Sequence, residues 1–95
     1  MTVSDPLPAF EVGAAQPNPF RSLTAIPFSL PRSARVTVRV YDVAGRLVAT
    51  PAEERTYEAG PHLLRFEATG LPNGIYLYRM ESEGMARSGR IALVR

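Results

Sequence analysis

Any chemistry in this chain would have to come from few side chains. Besides Ser4 there are five serines (Ser22, Ser29, Ser33, Ser82, Ser88), one histidine (His62), an adjacent glutamate pair (Glu53 and Glu54) and two aspartates (Asp5 and Asp42). A serine nucleophile needs a base within hydrogen-bond reach and a sharp turn that presents it. None of these serines has that spacing, and His62, following Pro61 at the mouth of a predicted strand, reads as a solvated turn residue. Two carboxylates can flank a glycosidic bond, but neighbours in an extended segment point to opposite sides. Glu53 and Glu54 therefore read as a solvated loop. Two aspartates are too few for an oxygen-rich calcium loop. The absence of cysteine removes disulfides and thiolate metal sites, and no glycine-rich phosphate cradle occurs. The expectation is a protein that is not an enzyme and carries no cofactor or metal.

Eleven basic against nine acidic residues give a net charge of +2, too little to imply a nucleic-acid partner. Every basic residue is arginine, which reads as coding bias more readily than as binding chemistry. The charge is unevenly spread. Arg32, Arg35, Arg39 and Arg46 against Asp42 give a local +3 (four minus one), residues 84–95 hold Arg87, Arg90 and Arg95 with no acid, and residues 53–58 hold three glutamates and one arginine. If the strand ending at Tyr41 shares a sheet with the final strand, Arg35, Arg39, Arg46, Arg87 and Arg90 merge into a patch for an anionic partner. Ordinary exposed strand arginines are the alternative, and both stay open here.

What would hold these residues in place is a set of short strands. Ninety-five residues, 45% hydrophobic and 21% charged, make one globular domain, and no apolar run approaches the ~18 residues that span a bilayer. Turn formers recur at the short intervals expected of antiparallel sandwiches or barrels. The clearest strand is Ala34 to Tyr41, with Val36, Val38 and Val40 on one side and Arg35, Thr37, Arg39 and Tyr41 on the other. Asp42 to Gly45 reverses the chain, since aspartate bonds its own backbone two residues on and glycine accepts a positive φ. Arg46 to Thr50, Leu63 to Ala68, Ile75 to Ser82, Gly89 to Val94, Phe10 to Val12 and Leu23 to Leu30 complete seven strands. Ile75 to Ser82, apolar on both sides, is placed centrally. Pro27 cannot donate to a ladder, so its strand is expected at an edge, bulged or broken. The fold class is an all-β, immunoglobulin-like antiparallel sandwich: residues 1–9 a flexible lead, residues 10–95 the domain. In Leu71-Pro72-Asn73-Gly74-Ile75-Tyr76 a tyrosine follows a proline–glycine turn, as in the tyrosine corner of such sandwiches. Tyr76 and Tyr78 read as core residues, with a sugar-stacking platform as the alternative.

Several motifs in order carry a resemblance. Pro17-Asn18-Pro19-Phe20 comes first, then Ile26-Pro27-Phe28-Ser29-Leu30-Pro31, then Val36-Thr37-Val38-Arg39-Val40-Tyr41-Asp42 with Gly45-Arg46-Leu47-Val48. After them come Ala59-Gly60, Thr69-Gly70-Leu71-Pro72-Asn73-Gly74-Ile75-Tyr76 and Arg90-Ile91-Ala92-Leu93-Val94-Arg95. Together, from about Glu11 onward, they resemble the C-terminal sorting domain (type A) of type IX (Por) secretion system cargo of Bacteroidetes and their relatives. The related immunoglobulin-like domain of the flagellar hook-capping protein shares the first motif and the tyrosine–aspartate–glycine–arginine turn. It tends to carry a tryptophan–aspartate–glycine stretch where Phe66-Glu67-Ala68 stands here. Two departures from the sorting pattern are Pro27 and arginine in place of terminal lysines.

The resemblance implies a non-catalytic tag on a larger exported protein, folded in the periplasm and read by the outer-membrane secretion machinery. It also implies removal by a surface sortase-like peptidase. The cargo is then joined to anionic lipopolysaccharide at the cell surface or released. On this reading the cut falls around Met1 to Gln16, an accessible lead, and the translocon reads the final strand: Gly89, Arg90, Ile91, Ala92, Leu93, Val94 and Arg95. Met1 to Pro6 has neither the basic nor the apolar stretch of a signal peptide, so an exported protein would carry this segment as part of something longer. A carbohydrate-binding accessory module and a passive spacer or assembly domain, as in hook capping, are the alternatives.

Overall fold

Alternation of apolar and polar residues decides which face of each strand turns inward, and two sheets follow from it. A computed structural model describes residues 10–95; the 1–9 lead lies outside the described residues. The strands are β1 (Glu11–Val12), β2 (Leu23–Leu30), β3 (Ala34–Asp42), β4 (Leu47–Tyr57), β5 (Gly60–Glu67), β6 (Gly74–Ser82) and β7 (Met85–Leu93). They form a three-stranded sheet, β1-β2-β5, and a four-stranded sheet, β4-β3-β6-β7, with every pairing antiparallel. This is the seven-stranded immunoglobulin-like sandwich that the turn spacing predicts.

The core lies between the sheets. From the smaller sheet, β2 contributes Ile26, Phe28 and Leu30, and β5 contributes Leu64 and Phe66; from the larger come Val36, Val38 and Val40, Tyr76, Tyr78 and Met80, and Ile91 and Leu93. Tyr76 and Tyr78 are buried, so neither ring offers a platform for sugar stacking. Two buried hydroxyls find acceptors, as burial demands: Thr24 donates to the Pro17 carbonyl at 2.7 Å and Ser82 to the Arg35 carbonyl at 3.0 Å. The strand β6 is central, between β3 and β7, but centrality does not cover its outer side, and Ile75 and Leu77 remain exposed.

Four expectations need correction. Pro27 sits in the unbroken middle strand of its sheet, paired with Leu63 in a register that runs without shift from Leu23–Glu67 to Leu30–Gly60. Ala25 and Pro27 turn their backbone away from β5: the Ala25 carbonyl receives the Gln16 amide and the Pro27 carbonyl the Gly13 amide. In an antiparallel pair these groups alternate sides, so the missing N–H of Pro27 removes no bond to β5. The fourth strand does not end at Thr50 but runs to Tyr57, with three register shifts against β3. An edge strand tolerates Pro51 and such bulges, and Glu53-Glu54 forms one of them, opposite Thr37, whose hydroxyl receives the Glu54 amide at 3.0 Å. His62 is a strand residue, paired with Phe28, its ring stacked on Phe28 (5.2 Å) and beside Tyr57 (5.0 Å). Residues 10–16 are not a loose lead: Phe10 and Ala15 are buried, and Gly13 and Gln16 bond to β2.

Gly89 has a steric reason. A Cβ there would lie 2.8 Å from Cε2 of Tyr78 and nearer still to Cζ and the hydroxyl. The ring is fixed in the core, so Gly89→Ala should cost about 1–3 kcal/mol of stability, read as a lower urea midpoint.

Candidate functional site

The strand β7 lies at the edge of its sheet, where a row of backbone groups lacks a strand partner. Alternation turns the backbone of Arg90, Ala92 and Val94 outward, and the segment Pro17–Phe20 meets them there. An asparagine side chain carries one acceptor and a donor NH₂, so it can stand in for a peptide unit. The Asn18 amide donates to the Arg90 carbonyl at 3.0 Å and accepts from the Ala92 N–H at 2.9 Å. Phe20 continues the edge, its N–H bonding the Ala92 carbonyl at 2.8 Å and its carbonyl accepting the Val94 N–H at 2.9 Å. Four consecutive outward groups of the last strand are thereby satisfied.

This clasp is itself anchored. Gln16 exchanges two 2.9 Å backbone bonds with Ala25 of the smaller sheet. Thr24 holds the Pro17 carbonyl, and the buried Phe20 ring lies 6.2 Å from that of Phe66. The segment thus bridges the smaller sheet and the edge of the larger one.

Other turns gather at the same end because the register brings them there, with Asp42 opposite Tyr76, Tyr76 opposite Ile91 and Gly74 opposite Leu93. The Tyr76 hydroxyl donates to the Pro72 carbonyl at 2.5 Å, the tyrosine corner expected from the sequence. The Arg95 backbone amide donates to the Asn73 side chain at 3.1 Å, and its guanidinium donates to the carbonyls of Leu71 and Ala68. In the β3–β4 turn one Asp42 oxygen accepts the amides of Ala44 (2.9 Å) and Arg46 (3.0 Å), while the other receives the Arg46 guanidinium at 3.0 Å. Gly45 takes a φ of +87° there. The Arg46 amide foremost, with its guanidinium and the Ala44 amide, outweighs desolvation and holds the Asp42 carboxyl below its ordinary value of 3.8.

The sequence-predicted residues divide unevenly. Of Gly89 to Arg95, Ile91 and Leu93 are core, Gly89 faces Tyr78, and Ala92 has its backbone in the clasp. The Arg95 guanidinium is taken up by the Ala68–Leu71 turn, so Arg90 and Val94 offer the exposed side chains of this stretch. The sandwich does place β3 and β7 in one sheet, with β6 between them, but the five patch arginines do not converge. Arg35 pairs with Glu54 (3.5 Å), Arg39 with Glu81 (3.7 Å) and Arg46 with Asp42 (3.0 Å). Arg87, opposite the core residue Met80, lies over the Phe10 ring at 5.5 Å, on the other side of the sheet from Arg90. Sequence reasoning missed the bonding roles of Asn18, Thr24 and Arg95. An amide side chain between two prolines, with its donor and acceptor both available, was the signal for the first.

Residues 15–93, well over half of the chain, fit the family model described as the secretion system C-terminal sorting domain. No curated protein matches the chain.

Removing the Asn18 amide takes both partners from an exposed stretch of the edge, where water can replace them, so Asn18→Ala should lower stability by about 0.5–1.5 kcal/mol, seen in urea as a lower midpoint with an unchanged slope. The Asp42 turn adds a pH signature. A carboxyl with a depressed folded-state pKa stabilises above its unfolded value, and that contribution disappears as pH falls through the folded value. The advantage of the natural chain over Asp42→Asn should therefore be fully present above the ordinary carboxyl value of 3.8 and shrink as pH is lowered below it, as read from paired urea midpoints.

Proposed function

The chain belongs to the secretion system C-terminal sorting domain family, that of type IX secretion cargo, and on that premise we propose that it works as a folded, non-catalytic tag. The domain folds in the periplasm, is read by the outer-membrane secretion machinery as a surface rather than as an unfolded tail, and is removed at the cell surface by a sortase-like peptidase. The cargo then becomes joined to anionic lipopolysaccharide or is released. The observation that supports this reading most is the clasp: the last strand is tied to Asn18, Phe20 and the Ala68–Asn73 turn, so its message is available only in folded form. Peptide cleavage belongs before Phe10, because residues 10–16 are packed and bonded and a protease needs an extended, accessible strand of substrate.

A reporter protein joined ahead of this domain, expressed in cells that carry type IX machinery, tests the proposal. The natural domain should bring the reporter to the cell surface or medium. A version cut back at Gly89 and the Asn18→Ala version should leave more of it inside. Equal export of all three would mark the domain as a passive spacer. Binding of soluble polysaccharide by the isolated chain would favour an accessory carbohydrate module instead.

A further inference from the structure

We propose that the outer face of the four-stranded sheet, at the clasp end, docks a protein partner presenting apolar side chains bordered by carboxylates. This rests on the sorting reading above and names the surface through which it operates. The pairing register puts Leu47, Tyr41, Leu77 and Arg90 in one row across all four strands. Ile75 and Ala92 form the next row, on the same face. Val94 follows Ala92 on that side, and the β3–β4 turn adds Val43. Among the described residues eight large hydrophobic side chains are exposed; three of them (Leu47, Ile75 and Leu77) share these rows, and two more (Val43 in the adjoining turn and Val94 just past β7) lie at the same end of the sheet, the five being 39–75% exposed. Scattered exposed hydrophobics need no explanation, but a contiguous group bordered by polar residues marks an interaction surface.

The charges beside the patch identify the occupant. In the adjoining row Arg39 and Arg79 share one carboxylate, Glu81, at 3.7 and 2.5 Å. The Arg90 side chain ends the apolar row and has no charged partner among the described residues. Three arginines against one glutamate leave +2 on this border. Arginine forks onto carboxylates, so an acidic border on the partner completes the surface, whereas a second copy laid face to face would bring like charges together. A flat pleated face also suits a protein surface better than a lipid surface, which amphipathic helices enter with one face.

The test uses the reporter described above with the whole domain. Leu47→Gln/Leu77→Gln changes two outward side chains; Leu63→Gln, on the other sheet, is the control. With unchanged urea midpoints, the double variant should fall to the export level of a reporter without the domain, and the control should match the natural chain. Arg90→Glu should reduce export and Arg90→Lys should reduce it less. A photo-crosslinking residue at position 77 should give a discrete protein adduct in exporting cells, and one at position 63 should not; this holds even if the double variant fails to fold. Natural-level export by a folded double variant would overturn the docking face while leaving the sorting reading intact, and failure of the natural chain to export would overturn both. Sedimentation with phosphatidylglycerol vesicles, or a concentration-dependent dimer, in either case lost in the double variant, would assign the face to lipid or to a second copy and overturn the proposal.

Discussion

The last strand of this sandwich lies at an edge, and everything at its far end depends on how that edge is closed. A strand edge exposes alternating donors and acceptors that either stay in water or find partners. Here one asparagine side chain replaces a peptide unit, and Phe20 supplies the next. The replacement works only if Asn18 is held at strand distance from β7. Thr24, Gln16 and the Phe20 ring do that by tying the segment to the opposite sheet. Local side-chain chemistry and global packing thus agree, which is what lets one short segment join two sheets.

The same end shows how arginine serves structure before it serves binding. Arg95 donates to carbonyls of the turn that precedes β6, and Arg46 braces the Asp42 turn. A count of positive charges along the sequence overstates what is free to meet a partner. Once these internal uses are set aside, the outer face of the larger sheet at the clasp end is apolar, with a modest positive border supplied by Arg39, Arg79 and Arg90.

Much of this was legible in the sequence, and the reasons for the rest are physical. The alternation of Val36, Val38 and Val40, and of Tyr76, Tyr78 and Met80, fixed two strands and their inward faces, because period two survives wherever one face is buried. The Tyr76 corner and the Asp42 turn were legible because both are local bonds between residues close in the chain. The fourth strand runs past the expected end at Thr50, and only the pairing with β3 shows the bulges that carry it through Pro51. Pro27 misled for a related reason: which neighbour its backbone faces is a matter of register, invisible before the sheet is assembled. The bonds of Asn18 and Arg95 cross 74 and 27 residues of chain at their longest, and no local pattern announces a partner at that distance.

The central claim is that side-chain and backbone groups of Asn18 and Phe20 hold the final strand as firmly as a neighbouring strand would. Native-state amide hydrogen exchange measures that directly, since protection reports the opening of individual bonds. The Ala92 and Val94 amides should exchange as slowly as those of the β3–β6 ladder, while the Ser88 amide, on the same edge beyond the clasp, exchanges fast. Ala92 and Val94 exchanging as fast as Ser88 would show that the edge is open and that the clasp does not hold the strand.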